Sequence, residues 1–147
     1  MFELWLGKEG EVVVSAKGTE IKVNVAQSEV EAGLAVGRIR GPGEFEIGEV
    51  AISAVAVNGG VIYALDINRV RVGVTGSIED GLDELGPIDI LVTDSVKSVG
   101  IIDPKIVVPL GEVDKFTTGL KADVKAEKKL KIKSETSLPL ALTIVAL

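Results

Sequence analysis

The chain has 147 residues, 22 acidic and 16 basic side chains, and a net charge of −6 without counting histidine, because it has none. It also lacks cysteine, so disulfides are excluded, as are the commonest zinc, copper and haem ligands and every Ser-His-Asp or Cys-His mechanism. A chain this long can bury about 70% of its unfolded surface as one domain, without a metal to hold it together. Hydrophobic residues make up 46% but aromatics only 3%. The apolar content is therefore Val, Ile, Leu and Ala, and with 17 glycines it predicts an all-β chain rich in turns.

In chain order, Phe2, Leu4 and Leu6 alternate with Glu3 and Trp5, which predicts a short opening strand. Val12 to Ser15 predicts a second strand. Ile21, Val23 and Val25 predict a third beyond the Ala16-Lys17-Gly18 turn. Residues 27–37 read as a loop or one helical turn, with Gly33 against a longer helix. Residues 37–43 read as an exposed loop ending in Gly41-Pro42-Gly43. Strands are expected around Phe45 and Ile47, over 50–57 (apolar on both sides, hence buried on both faces), over 61–65 and around Val70, Val72 and Val74. Asn58-Gly59-Gly60 is a hairpin turn.

Residues 77–85 are the best candidate for the single short helix, with Ser77 as its cap and Gly86-Pro87 as its stop. Strand periodicity resumes at Ile88, Ile90 and Val92, and again at 106–110. Every odd position from Lys121 to Lys133 is charged, and the even positions are apolar except Lys128. This separates two faces of a strand, either one long strand or a hairpin bent near Lys128. A final strand is expected over Leu138, Leu140, Leu142 and Ile144.

The fold class expected is all-β, mostly antiparallel: a sandwich or barrel with extended β arms and at most one short helix. A single domain would span 1–147, with arms at 1–15 and 115–147. No basic leader opens the chain, so no signal peptide is expected. No apolar run approaches the roughly 18 residues of a membrane span.

Charge is unevenly distributed along the chain. Residues 77–114 carry a net −7 and residues 115–147 a net +4. An acidic middle and a basic tail can attract each other between copies. Alternatively, lysines along an edge strand block unwanted pairing.

Few side chains suggest a site on chemistry alone. Glu79, Asp80, Asp83 and Glu84 offer oxygen ligands for Ca²⁺ but lack calcium-loop spacing, and a solvated helix start explains them as well. Gly41-Pro42-Gly43 fits no phosphate loop. The low isoelectric point and the lack of aromatics among the late lysines argue against nucleic acid. No catalytic, cofactor or metal residue is assigned. The expected partner contacts are Phe2 and Trp5 as apolar anchors, Arg38 and Arg40 beside the Gly-Pro-Gly turn, and Lys121, Lys125, Lys129 and Lys131 on the charged strand.

The stretch Gly7-Lys8-Glu9-Gly10-Glu11-Val12-Val13-Val14 with Gly18-Thr19-Glu20-Ile21 resembles the opening of phage tail-tube subunits. The whole chain, small, β-rich, acidic, cysteine-free and with sheet-compatible tails, looks more like the capsid decoration proteins of tailed phages. Its scarcity of labile residues suggests a thermophilic one. That resemblance implies a non-enzymatic virion protein without cofactors, made in the host cytoplasm. It would be a trimer clamping the major capsid protein from the capsid exterior, with no nucleic acid or membrane partner. A tail-tube or other ring-forming subunit, and a monomeric carbohydrate- or protein-binding module, are the alternatives.

Overall fold

A computed structural model describes residues 1–33 and 37–147. Two sheets stack face to face, and a layer of short helices covers the outer face of the second. The first sheet has strand order β13-β1-β2-β3-β4-β5 and is antiparallel throughout. Its strands are β1 (Phe2–Leu6), β2 (Val12–Ala16), β3 (Thr19–Asn24), β4 (Glu29–Ala32), β5 (Gly37–Arg40) and β13 (Leu130–Ile132).

The second sheet runs β12-β14-β11-β10-β9-β8-β7-β6. One half is an antiparallel meander of β6 (Gly43–Ile47), β7 (Val50–Val57), β8 (Gly60–Ile67) and β9 (Val70–Gly76). From β9 onward, β10 (Ile90–Thr93), β11 (Ile106–Pro109), β14 (Thr143–Ala146) and β12 (Asp123–Ala126) are parallel. Parallel neighbours need crossovers. Helix α1 (Val96–Ile102) lies between β10 and β11, and α2 (Val113–Gly119) between β11 and β12.

Strand periodicity builds two apolar layers. Leu4, Val14, Ile21 and Val30 of the first sheet meet Ile52, Tyr63, Leu65, Val72 and Val92 of the second. On the second sheet's other face, Ile62, Ala64, Leu91, Val107 and Ile144 are covered by Leu82, Leu85, Val99 and Phe116. Burial of this apolar area, at about 25 cal/mol per Å², is the dominant favourable contribution.

The fold class is the expected one: mostly β, mostly antiparallel, sandwich-like, with open sheets. Several local expectations differ. Among the described residues two α-helices, Val96–Ile102 and Val113–Gly119, form where the sequence pointed to neither. Residues 77–85 contribute a short 3-10 turn, Leu82–Leu85, because Gly81 breaks the segment in a left-handed conformation. The segment 37–43 is not a loop, since β5 and β6 occupy most of it. The segment 27–37 contains β4, while 34–36 lie outside the described residues. Strand β7 is not buried on both faces: Val50, Ile52 and Ala54 are buried but Ala56 on the same face is exposed, and the other face is buried only in part, because β7 lies next to the edge strand β6. The charged stretch 121–133 is neither one strand nor a hairpin. β12 and β13 end different sheets, each pairing with a terminal strand. The last strand starts at Thr143, and Leu140 is 97% exposed.

Candidate functional site

Strands β9, β10 and β11 run parallel, so their carboxyl ends reach one edge of the sheet together. In open α/β sheets, ligands bind at that edge. Here it borders a crevice of about 340 Å³ whose lining includes Val25, Ser28, Gly76, Ser77, Asp94 and Leu110. That volume falls in the range of small-molecule sites. A larger depression, about 660 Å³, lies along the β13 edge between Glu3, Glu127 and Lys128, Lys129 and Lys131. It is wider open and walled by flexible charged side chains, so the crevice is the better-formed site.

The strand ends shape the crevice. Gly76 ends β9 with φ +59, and a Cβ there would stand 3.1 Å from Val25 Cγ1. Only glycine satisfies both demands, and the first sheet can then approach the second at this point. Asp94 comes directly after β10, and its backbone N–H donates to the Gly76 carbonyl at 2.8 Å. Gly111 lies just beyond β11, where a Cβ would sit 2.5 Å from Asp94 Oδ1.

Asp94 is the charged centre of the crevice. Lys115, carried on α2, donates through Nζ to Oδ1 at 2.8 Å and also to the Asp94 backbone carbonyl. Ser77 Oγ donates to Oδ2 at 3.4 Å. Thr93 Oγ1 donates to the Gly76 carbonyl at 3.0 Å and accepts from the Ser95 N–H at 3.1 Å, tying the β9 and β10 ends together. Ser95 then caps α1, accepting from the Ser98 N–H at 3.3 Å, and donates its own proton to Glu79. The result is a half-buried carboxylate held by a lysine and two strand ends beside an apolar wall of Val25, Ile78 and Leu110.

None of the residues expected as partner contacts lines this crevice. Phe2 is buried between the sheets. Trp5 is half-buried on the outer face of the first sheet, with Lys129 Nζ 4.3 Å from its ring centroid. Arg38 and Arg40 lie on β5 and pair with Glu31 at 3.8 Å and Glu29 at 2.8 Å. Lys121 precedes β12, Lys125 lies in it, Lys129 precedes β13 and Lys131 lies in it. In the acidic group, Glu79 bonds Ser95 and Asp80 accepts from Asn58 at 3.0 Å. Among the described residues no three His, Cys, Asp or Glu side chains gather as a metal site. No helix among them is long and apolar enough to cross a membrane.

Sequence reading assigned nothing to Asp94, Ser95 and Lys115, and took Ser77 for a helix cap. The available signal was Ser95 before Val96, Val99 and Ile102, a capped helix at three-residue spacing directly after a strand.

No protein-family model matches the chain, and no curated protein matches it in sequence. Its fold is similar to the crystal structure of a Thermotoga maritima protein described as a proposed Zn-dependent hydrolase of the metallo-beta-lactamase superfamily. The TM-score is 0.69 at 14% identity, over 100% of each chain. This overturns the expectation of a non-enzymatic phage decoration protein, and its tail-tube and binding-module alternatives gain no support. The architecture is shared with a protein described as a proposed hydrolase. Small size, acidity and β content misled because many unrelated sandwiches have them. At 14% identity the likeness is one of fold.

The zinc implied by that neighbour's description does not fit the residues present. The chain offers neither histidine nor cysteine, the crevice carboxylate Asp94 is engaged by Lys115 and Ser77, and Glu79 is engaged by Ser95.

Proposed function

We propose that the chain binds a small molecule in the crevice at the carboxyl ends of β9, β10 and β11, using Asp94 and Ser77 rather than a histidine-held zinc. The observation that carries this reading is the convergence of Asp94 and Ser77 on one crevice at the parallel strand ends, with Lys115 paired to Asp94 from α2. Lys115 balances the charge of Asp94, so the favoured ligand is neutral or weakly cationic. It would set an apolar body against Val25, Ile78 and Leu110 and give a hydrogen from a hydroxyl or amine to Asp94 Oδ2.

The likeness to a described hydrolase supports including esters and amides among the compounds tried. A water activated there would give its proton to the Asp94 carboxylate, the basic group at hand.

The test is a thermal-shift and NMR screen of small alcohols, amines, esters and amides, with hydrolysis followed for the last two. Hits are expected to raise Tm in wild type. They should fail in Ala26→Trp, an exposed position on the crevice rim where a large side chain blocks entry without disturbing the core. Hits that bind both proteins equally, or no hits at millimolar concentration, would overturn the proposal. Turnover that requires added zinc would overturn the carboxylate assignment.

A further inference from the structure

Among the described residues both sheets end in strands with no further strand beyond them, and two of these edges carry opposite charge in the same alternating pattern. β13 ends the six-stranded sheet, and with its flanks it reads Lys129-Leu130-Lys131-Ile132-Lys133. β6 ends the eight-stranded sheet, and from Glu44 it reads Glu44-Phe45-Glu46-Ile47. The apolar members of both sets face the layer between the sheets: Leu130, Ile132 and Ile47 are buried there, and Phe45 packs against them in part. Lys129, Lys131, Lys133, Glu44 and Glu46 are exposed.

The other two edges differ. On β5, Arg38 and Arg40 are neutralised by Glu31 and Glu29 of the neighbouring strand. β12 mixes Asp123 with Lys125. Lys129 is drawn back over Trp5 and toward Glu3 at 3.9 Å. Glu44, Glu46, Lys131 and Lys133, by contrast, have no ion-pair partner among the described residues. Each edge therefore repels a copy of itself, since like charges would stand opposite one another. The opposite edge of another copy removes that repulsion.

We propose that copies of this chain associate head to tail, with the β13 edge of one pairing with the β6 edge of the next. The occupant of each free edge is a second copy, chosen by charge complementarity. The period of two on both strands lets the pairing keep apolar residues on the inner face and charged residues on the outer face. Because the two patches differ, the contact is heterologous, and it closes into a ring or runs on as a filament. Only a few residues meet on each side, so the association is weak and strongly dependent on ionic strength.

The experiment is light scattering across a concentration series at low and high salt, on wild type and two charge-reversed proteins, K131E/K133E and E44K/E46K. Wild-type mass is expected to rise with concentration at low salt and fall back toward the monomer at high salt. Each variant alone should stay monomeric, having one sign of charge on both edges. An equimolar mixture should regain assembly, because every edge again meets its opposite. A wild type that is monomeric throughout, variants that assemble as wild type does, or a mixture that stays monomeric would each overturn the proposal. All four side chains are exposed, so both variants should keep the native circular dichroism spectrum. If one does not, K131E and E46K singly, and mixed, carry the same test.

Discussion

The two halves of the second sheet obey different rules. In β6 to β9 each strand turns straight back on its neighbour, and the residues that pair are close in sequence, as in Val57 with Gly60 or Ile67 with Val70. In the parallel half, β10 pairs with β9 only after the intervening segment containing the 3-10 turn, and β11 meets β10 only after α1 crosses over. The antiparallel half alternates strand ends between its two edges. The parallel half delivers the ends of β9, β10 and β11 to one edge, and there Ser77, Asp94 and Gly111 come together. Stability can be built by either pattern, but concentrating polar strand-end residues in one place requires the parallel one.

The comparison is tested most severely by removing the side chain that fixes the helical cover. Phe116 on α2 is fully buried against the parallel half, and Phe116→Ala should cost about 3–5 kcal/mol. Denaturant unfolding measures that loss. Hydrogen exchange should then rise first in β10, β11 and β14, while β7 and β8 remain protected. Leu65→Ala, in the antiparallel half, should cost about 2–5 kcal/mol and reverse that order of exposure. Identical exchange patterns in the two variants would mean that the halves do not differ in local cooperativity.

A smaller effect is expected at the join between the parallel strands and the crevice. Ser95→Ala removes the cap of α1 and the partner of Glu79, at a cost of about 1 kcal/mol. Ser95→Asp restores an acceptor at the cap but sets it against Glu79, so it should recover only part of the loss. Full recovery in a thermal melt would show that the Ser95–Glu79 bond contributes nothing.

The smallest effect is expected at Tyr63 in the antiparallel half. Its ring is buried and its hydroxyl has no hydrogen-bond partner among the described residues. Tyr63→Phe should therefore shift stability by no more than about 1 kcal/mol at neutral pH, and in the stabilising direction, since an unpaired buried hydroxyl is removed. Burial first, and the negative charge of Glu29 second, push the Tyr63 pKa up to about 12. An unfolded tyrosine titrates near 10. The folded chain thus holds this proton more tightly. The associated stability is complete below about pH 10 and is lost as pH rises through about 12. Urea melts from about pH 9 to about pH 12 should show the wild type losing more stability than the phenylalanine variant. Parallel curves would mean that Tyr63 ionises freely in the folded state.

Where the reading from sequence succeeded, the signal was local. Alternation at Ile21 and Val23 marked β3, and Asn58-Gly59-Gly60 marked the β7–β8 hairpin. Where it failed, two periodicities overlapped. Val96, Val99 and Ile102, like Val113, Phe116 and Leu120, are spaced for a helix that buries one side. Each group is only about two turns long and is flanked by strand-like runs, so strand patterning masked it.

Composition and period-two patterning thus determined that this chain would be a mostly β sandwich or barrel with glycine-rich turns and without histidine or cysteine chemistry. A strand's alternation tells which of its faces is apolar, and nothing about which strand lies beside it. The tertiary structure alone decided that β9, β10 and β11 run parallel, that β12 and β13 end different sheets, and that Ser77, Asp94 and Lys115 meet. Those facts depend on contacts between residues far apart in the chain, and they are selected by the packing of whole layers rather than by any local preference.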